Sequence, residues 1–355
     1  MNPDWQNFLI QRGATIEAGV VQRFGDTSAE LLSTRQSTVL CDLGQFGTLR
    51  VSGEEAQTFL QNLLSNDIRE VSSTRAQLSS FNTAKGRVLA TLLIRRDGDD
   101  YLLQLPRALS EPMRKKLGMY VLRAKVKIAD ASDEIVSLGL SGTNAQEILQ
   151  GQFGDLPQLP LGLTVAAQAS IIKIGDTRFQ ISTGVQHAQA LWQALSRHAQ
   201  PVGSVCWDWL NIHSGIPVIL PQTQEQFVAQ MVNFDLVGGV SFKKGCYPGQ
   251  EIVARMQYLG QLKRRMYLAH IDGAHIDGTY LDSSDIPQAG DELFSANMEG
   301  QSCGMIVNAS PAPGGGCDVL AVVQIASRET QTVHWKSIQG EVLQFLPQPY
   351  PLPQG

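Results

Sequence analysis

Lys243-Lys244-Gly245-Cys246-Tyr247-Pro248-Gly249-Gln250-Glu251, continued by Ile252-Val253-Ala254-Arg255, concentrates more chemistry than any other part of the chain. One thiol lies between two glycines, with two ammonium groups before it and a Pro-Gly turn after it. The glycines let the backbone turn sharply and approach another segment closely. Glu251 and Arg255 have the i,i+4 spacing of one face of a helix beginning near Gln250. A carboxylate in that first turn is favoured by the helix dipole. The stretch therefore reads as a cysteine on a tight loop feeding a short helix. Neighbouring cations lower a thiol pKa, so Cys246 is a candidate catalytic thiol, supported by Lys244, Tyr247, Gln250, Glu251 and Arg255. The competing reading is a packed cysteine, since an isolated one behaves as a small hydrophobe.

Upstream of the loop, short strands and helices alternate. Residues 1–40 are polar and mixed, with poor helical periodicity, and order is expected to begin near Thr38-Val39-Leu40-Cys41. Ser52 and Glu55 have capping-box spacing. Ala56, Phe59, Leu60, Leu63 and Leu64 then form an amphipathic stripe, predicting a helix that stops near Asn66-Asp67. Strands follow over 76–82, 87–96 and 101–105, the last two joined by an Asp97-Gly98-Asp99 hairpin, then a helix over 109–120 and a strand over 125–129. The same order recurs: a strand over 134–140, a helix over 142–150, a hairpin at Gly175-Asp176 between strands 171–174 and 178–182, and a helix over 185–199. Two such units in tandem predict a duplicated, ferredoxin-like α+β architecture. A helix over 204–214 places Trp207 and Trp209 on different faces, so at least one should be buried.

Downstream of the loop the character changes. Runs at 266–271, 292–294, 303–309 and 319–325 are apolar or β-branched. They are separated by Asp-Gly, Pro-Gln-Ala-Gly and Pro-Ala-Pro-Gly-Gly-Gly turns, with no good helix between them. That predicts a small β-barrel or sandwich. Gly314–Gly316 reads as a hairpin loop and not a phosphate cradle, because no P-loop Lys-Ser/Thr or helix start follows. The expected domains are 1–130, 131–261 ending in the cysteine motif, 262–345, and a Pro-rich tail, 346–355, that is extended or mobile.

Composition narrows the function classes. With 355 residues and 43% hydrophobic, the chain can build sizeable cores. The formal charge of −5 disfavours a protein that coats nucleic acid with its whole surface. Charge is nevertheless uneven: 241–265 carries +5 and 107–127 carries +6, which leaves −16 on the rest. Two basic segments in an acidic chain suit either one anion site or two solvated faces. The cysteines, Cys41, Cys206, Cys246, Cys303 and Cys317, are odd in number and contain no C-x-x-C pair. Asp4, Gln6, Asn7 and Gln11 interrupt any apolar signal region. Reduced thiols and a cytoplasmic location are expected. No transmembrane stretch, zinc-type Cys/His spacing or other metal motif is visible, and the scattered histidines read as structural or solvated.

Lys244-Gly245-Cys246-Tyr247-Pro248-Gly249-Gln250-Glu251, with Ala254-Arg255 and Gly260 beyond it, resembles the signature of the folate-binding YgfZ proteins. That family is related to the T-protein of the glycine cleavage system. The resemblance extends through Asn66-Asp67, Lys85-Gly86-Arg87, Asn211-Ile212, Gly215–Val218 and Asn233 with Gly238–Lys243, spanning about 38–330. It implies α+β domains around a central cavity, closed by a C-terminal β-barrel. It also implies tetrahydrofolate or a one-carbon derivative in the cavity, with Phe46 and Trp207 as contacts and Asp176, more loosely aligned, as a third. Aromatic faces suit a pterin or benzoyl ring, although core packing would use both residues without any ligand.

By the same resemblance, the activity would be an accessory role in iron–sulfur cluster assembly or repair, supporting enzymes such as the tRNA methylthiotransferases. Partners would be Fe–S client enzymes or assembly proteins. Cys246 would be a nucleophile, a redox group or a transient cluster ligand, since a stable cluster usually needs four ligands. A folate-sensing scaffold without turnover is the main alternative. Direct tRNA binding lacks an RNA-binding signature. An aminomethyltransferase is disfavoured because the T-protein acidic pair is replaced by Ala90 and Thr91.

Overall fold

The computed structural model describes residues 1–258, 260–272 and 286–353. The chain forms two compact units. One comprises Met1–Gln61, Asp67–Gln77 and Leu92–Trp207; the other comprises Asn62–Asn66, Leu78–Thr91 and Asp208–Gly355.

The first unit begins well before Thr38. Helix α1 (Pro3–Gln11), the hairpin β1 (Thr15–Glu17) and β2 (Val20–Arg23), and α2 (Thr27–Gln36) are all formed, correcting the expectation that order starts near residue 38. The Asn2 side chain caps α1 by accepting from the backbone N–H of Asp4 and Trp5, and Pro3 sits in its first turn. Trp5, Phe8 and Leu9 are buried in a core with Leu138, Leu140, Phe179, Ile181 and Trp192. An interrupted periodicity hid this helix because three large side chains were enough to dock it.

Next come β3 (Val39–Asp42), β4 (Phe46–Ser52) and α3 (Ala56–Gln61). Helix α3 stops earlier than its apolar stripe predicts. The backbone of Leu64 and Ser65 pairs instead with Phe81 and Ser80, so tertiary hydrogen bonds replace the last helical turn. Nor does Glu55 close a capping box; its carboxylate accepts from Lys125 N at 2.7 Å. Strands β5 (Gln77–Asn82), β6 (Val88–Asp97) and β7 (Asp100–Pro106), helix α4 (Arg107–Gly118) and β8 (Lys127–Asp130) complete the first repeat. The second contains β9 (Ile135–Ser141), α5 (Ala145–Phe153), β10 (Leu163–Ala166), β11 (Ala169–Gly175), β12 (Arg178–Gly184), α6 (Val185–Leu195) and β13 (Gln200–Val202). Helix α6 thus ends at Leu195 rather than near 199.

Sheet order shows the duplication. The first sheet runs β5-β6-β7-β4-β8 and the second β10-β11-β12-β9-β3-β13. Without the edge strands β5 and β10 and the inserted β3, both have the 2-3-1-4 strand order of a ferredoxin-like βαββαβ unit. Strand β3 lies antiparallel to β9 and parallel to β13, so it fills the place between the first and last strands of its repeat.

In the second unit α7 (Ser204–His213), which starts in the first unit, leads through irregular backbone to α8 (Gln250–Tyr258). Then follow β14 (Arg264–Ile271), β15 (Glu292–Ser295), β16 (Ser302–Pro311), β17 (Cys317–Gln324), α9 (Ile325–Thr330), β18 (Val333–Trp335) and β19 (Leu343–Phe345). These six strands form one sheet ordered β18-β15-β16-β17-β14-β19, and a bridge between His334 and Val342 joins its two edges, so the barrel is nearly closed. The six-residue α9 interrupts the strands, contrary to the all-β reading. The Gly314–Gly316 hairpin is present, with positive φ at all three glycines. Of the Asp-Gly turns read after Ile271, Asp272-Gly273 is described only as far as Asp272, and Asp277-Gly278 lies outside the described residues. The tail is extended but pinned: Tyr350 donates its hydroxyl to Gly215 O at 2.8 Å and accepts from Asn233 Nδ2 at 3.2 Å.

Candidate functional site

Two glycines build the cysteine loop. Gly249 has φ +80°, and a Cβ there would stand 2.5 Å from Gly86 Cα and 2.6 Å from Thr83 O. Gly86 has φ +71°, and its own Cβ would meet Ile252 at 3.0 Å. The Thr83–Gly86 turn and the loop leading into α8 therefore lie against each other, backbone to backbone. Gln250 N donates to Tyr247 O at 3.1 Å, opening α8 directly after the loop. Buried Val253 then anchors the helix, and its carbonyl accepts from Gln230 Nε2 at 2.7 Å.

Lys244 is buried, and its ammonium donates to Leu64 O and to Asn66 O, the latter at 3.1 Å. It also lies 5.1 Å from the centre of the Tyr247 ring. Its charge thus closes backbone carbonyls left open beyond α3, whereas the sequence had suggested a role in activating the thiol. The neighbouring residues reinforce the same seam. Asn66 Nδ2 donates to Leu78 O and Gly238 O at 2.8 and 2.7 Å, and Ser65 Oγ to Gly239 O at 2.7 Å. Tyr247 is buried, and burial pushes its phenol up to about 12.

Cys246 projects from this frame and is exposed, whereas Cys41, Cys206, Cys303 and Cys317 are buried. Its sulfur has no hydrogen-bond partner among the described residues. Glu251 and Arg255 are also exposed, and among the described residues no ion pair joins them, so their helical spacing is used by solvent. The acidic pair that aminomethyl transfer would use is absent here too. Ala90 is fully buried, and Thr91 Oγ1 accepts from Ile219 N at 3.2 Å.

The first unit holds the other three candidates. Phe46, half-buried at the start of β4, lines a small crevice with Asp42 and Arg107. Trp207 is 3% exposed; the Arg178 guanidinium lies 4.3 Å from its ring centre. A Cβ at Gly139 would come within 2.4 Å of the indole, so only glycine admits the ring there. Burial lowers the Arg178 guanidinium to about 9. Gln45, next to Phe46, reaches Ser204 O at 3.5 Å, which connects the Phe46 turn to the helix that carries Trp207. Asp176 stands apart, exposed on the β11–β12 turn.

Several polar centres were not legible as such. Asn233, at φ +57°, donates to Met266 O at 2.9 Å and accepts from Arg265, which also pairs with Asp235 at 3.3 Å. Buried Asp318 accepts from Trp209 Nε1 at 2.8 Å and lies 2.7 Å from both His213 Nε2 and His270 Nδ1. Burial alone would raise its carboxyl, but bonds from His213, His270 and Trp209 hold it below the ordinary range. Trp209 and His213 share a helix at i,i+4 spacing, but no sequence signal joins them to Asp318, whose nearest partner, His270, is 48 positions away. Among the described residues no helix is long and apolar enough to cross a membrane.

Two ferredoxin-like repeats, a nearly closed six-stranded barrel and the glycine-locked loop define a protein of the glycine-cleavage T-protein fold. Residues 17–218 match the family model of the GCVT N-terminal domain. Glycine cleavage system aminomethyltransferase T from Bartonella henselae has the same fold, with a TM-score of 0.78 over 98% of this chain and 97% of that one at 17% identity. Within that fold, the chain belongs to the YgfZ family. It is 30% identical over 330 residues to the tRNA-modifying protein YgfZ of Shigella boydii serotype 4 (strain Sb227), covering 90% of this chain and 95% of that protein. The tRNA-modifying protein YgfZ of Escherichia coli (strain SMS-3-5 / SECEC) matches with the same identity and coverage.

Proposed function

We propose that the protein is a folate-dependent accessory factor of iron–sulfur cluster assembly or repair, working in the cytoplasm for tRNA-modifying enzymes such as the methylthiotransferases. The observation that carries this reading is the exposed Cys246 on a loop held rigid by Gly86, Gly249 and the buried Lys244 ammonium. A mobile cysteine would pay ordering entropy at each encounter with a partner; this one is already positioned. The names of the relatives support a role in tRNA modification.

A nucleophilic thiol is normally served by an adjacent base. Cys246 has no hydrogen-bond partner among the described residues, and Lys244 is engaged elsewhere. This favours a redox group or a transient ligand over a resident acid–base pair. An iron–sulfur cluster would then be cargo, with the client or an assembly protein supplying the remaining ligands. The same feature favours, as second reading, a folate-sensing scaffold that docks clients without turnover.

For folate, Phe46 offers an aromatic face beside the Arg107 guanidinium and the Asp42 carboxyl, a set that suits a heteroaromatic amide and a carboxylate tail. Trp207 would act through Arg178, whose guanidinium it supports. Asp176, exposed on its turn, is retained only as a peripheral contact.

Cys246→Ala is expected to keep the fold and tetrahydrofolate binding but to leave methylthiolated tRNA unrestored in cells lacking the endogenous protein. Full restoration would overturn the thiol role. Trp207→Ala should weaken tetrahydrofolate binding by calorimetry, with circular dichroism as the fold control; unchanged affinity would remove it from the site.

A further inference from the structure

We propose that the cavity between the two sheets of the first unit binds a small molecule through an oxyanion, a carboxylate or a phosphate, with Arg95 as the anchor. The cavity measures about 580 Å³, within the usual range for a small-molecule site. It is lined from one sheet by Arg50, Arg95 and Arg96 and from the other by Ser170, Ser182 and Thr183. Neither Phe46 nor Trp207 lines it, so the inference stands apart from the folate reading.

Arg95 is only 9% exposed. Among the described residues it makes no hydrogen bond and no ion pair. The acids nearest in sequence are already engaged: Arg50 Nη1 binds Asp97 at 2.8 Å and Asp100 at 3.1 Å. Arg96 is engaged as well: it lies 4.7 Å from the Tyr101 ring and donates to its hydroxyl at 2.9 Å. Burial lowers the Arg95 guanidinium to about 10, which leaves it cationic at neutral pH. Asp97 also lines the cavity and attracts Arg95, but without forming an ion pair with it; a buried charge held by no ion pair or hydrogen bond is costly, and buried charges are ordinarily paired.

The strand geometry aims this group inward. Side chains alternate along β6, so Leu93 and Arg95 share a face, and both line a crevice with Thr48, Gln104, Gln180 and Ser182 that adjoins the cavity. The opposing wall presents hydroxyl and amide groups and no carboxylate on β11 or β12, while Glu134 stands exposed at the rim. A planar guanidinium facing neutral hydrogen-bonding groups recognises a carboxylate or phosphate bidentately. The volume leaves room for an organic body attached to that oxyanion.

The test is thermal melting and calorimetry of the full chain with inorganic phosphate and with glutarate, each against sodium chloride of equal ionic strength. The wild type should bind at least one probe and melt at higher temperature in its presence. Phosphate alone would assign a phosphate ester, and glutarate alone a carboxylate. Arg95→Met should lose the response at least tenfold and melt higher than the wild type without anion, because a buried charge held by no ion pair is gone. Gln186→Glu, a change at an exposed lining residue, should leave the anion-free melting unchanged and weaken binding severalfold. A wild type that responds to neither probe would overturn the proposal, as would an unaltered response in Arg95→Met. If Arg95→Met does not fold, unchanged binding in Gln186→Glu overturns it.

Discussion

Gly249 and Gly86 meet backbone to backbone: a Cβ on Gly249 would stand 2.5 Å from Gly86 Cα and 2.6 Å from Gly86 N. Both have positive φ, at +80° and +71°. Rigid backbone faces Gly249 on every near side, so it cannot accept a methyl group by moving a side chain aside, whereas Gly86 faces the Ile252 side chain at 3.0 Å and Gly249 O at 3.2 Å. Gly249→Ala is therefore expected to cost more than the ~1 kcal/mol that positive φ alone costs a non-glycine residue. Urea denaturation should show a lower midpoint with an unchanged slope, together with faster modification of Cys246 as the loop loosens.

Lys244 is tied to carbonyls 180 and 178 positions away. Lys244→Met keeps the apolar stem but leaves two carbonyl oxygens without their donor. Each unmet buried acceptor costs roughly 1–3 kcal/mol, so a loss of about 2–6 kcal/mol in chemical denaturation is expected. A variant as stable as the wild type would mean that the ammonium is not what holds this seam.

Thiol accessibility separates Cys246 from the other four cysteines. Ellman's reagent should modify one thiol rapidly in the native protein and all five after denaturation. Cys246→Ser should abolish the rapid phase and change stability by no more than about 0.5 kcal/mol, as an exposed substitution does. A rapid phase that survived would place the accessible thiol elsewhere.

Asp42 carries a pH signature. Burial raises its carboxyl to about 6 from 3.8, with hydrogen bonds from Trp5 Nε1 and Gly44 N opposing the shift. The folded state then holds this proton more tightly than the unfolded chain. Its contribution is full below 3.8 and is lost as pH rises through about 6. A gap of about two units corresponds to roughly 3 kcal/mol. Urea midpoints measured between about pH 4 and pH 7 should fall more for the wild type than for Asp42→Asn. Parallel profiles would assign the pH dependence to other groups.

Much of the fold was legible because its signals are local. Hairpins at Asp97-Gly98 and Gly314–Gly316 are written in the residues that accept positive φ, and both form. The amphipathic α6 follows its stripe from Val185, Ala188, Leu191 and Trp192 to Leu195. Local pattern failed where distant partners competed. The stripe through Leu63 and Leu64 outlasts α3 because that backbone pairs with Phe81 and Ser80. Helix α1 has no clear local signal because it depends on docking Trp5, whose ring centre lies 5.8 Å from that of Trp192. At the site, the glycines and the position of the thiol could be read directly, but Lys244 could not. A lysine next to a cysteine looks like an activator until the carbonyls it meets are known.

By itself, then, the sequence determined the succession of strands and helices, the turn geometry and the loop that presents Cys246. These depend on backbone sterics and side-chain periodicity within a few residues. Only the tertiary structure decided that β3 enters the second repeat between β9 and β13, that the chain passes repeatedly between its two units, and that Tyr350 pins the tail. It alone decided that Lys244 has partners and that Arg95 makes no hydrogen bond or ion pair with the described residues. Whether a buried charge is met depends on groups brought together across the chain by folding, and no local pattern encodes that.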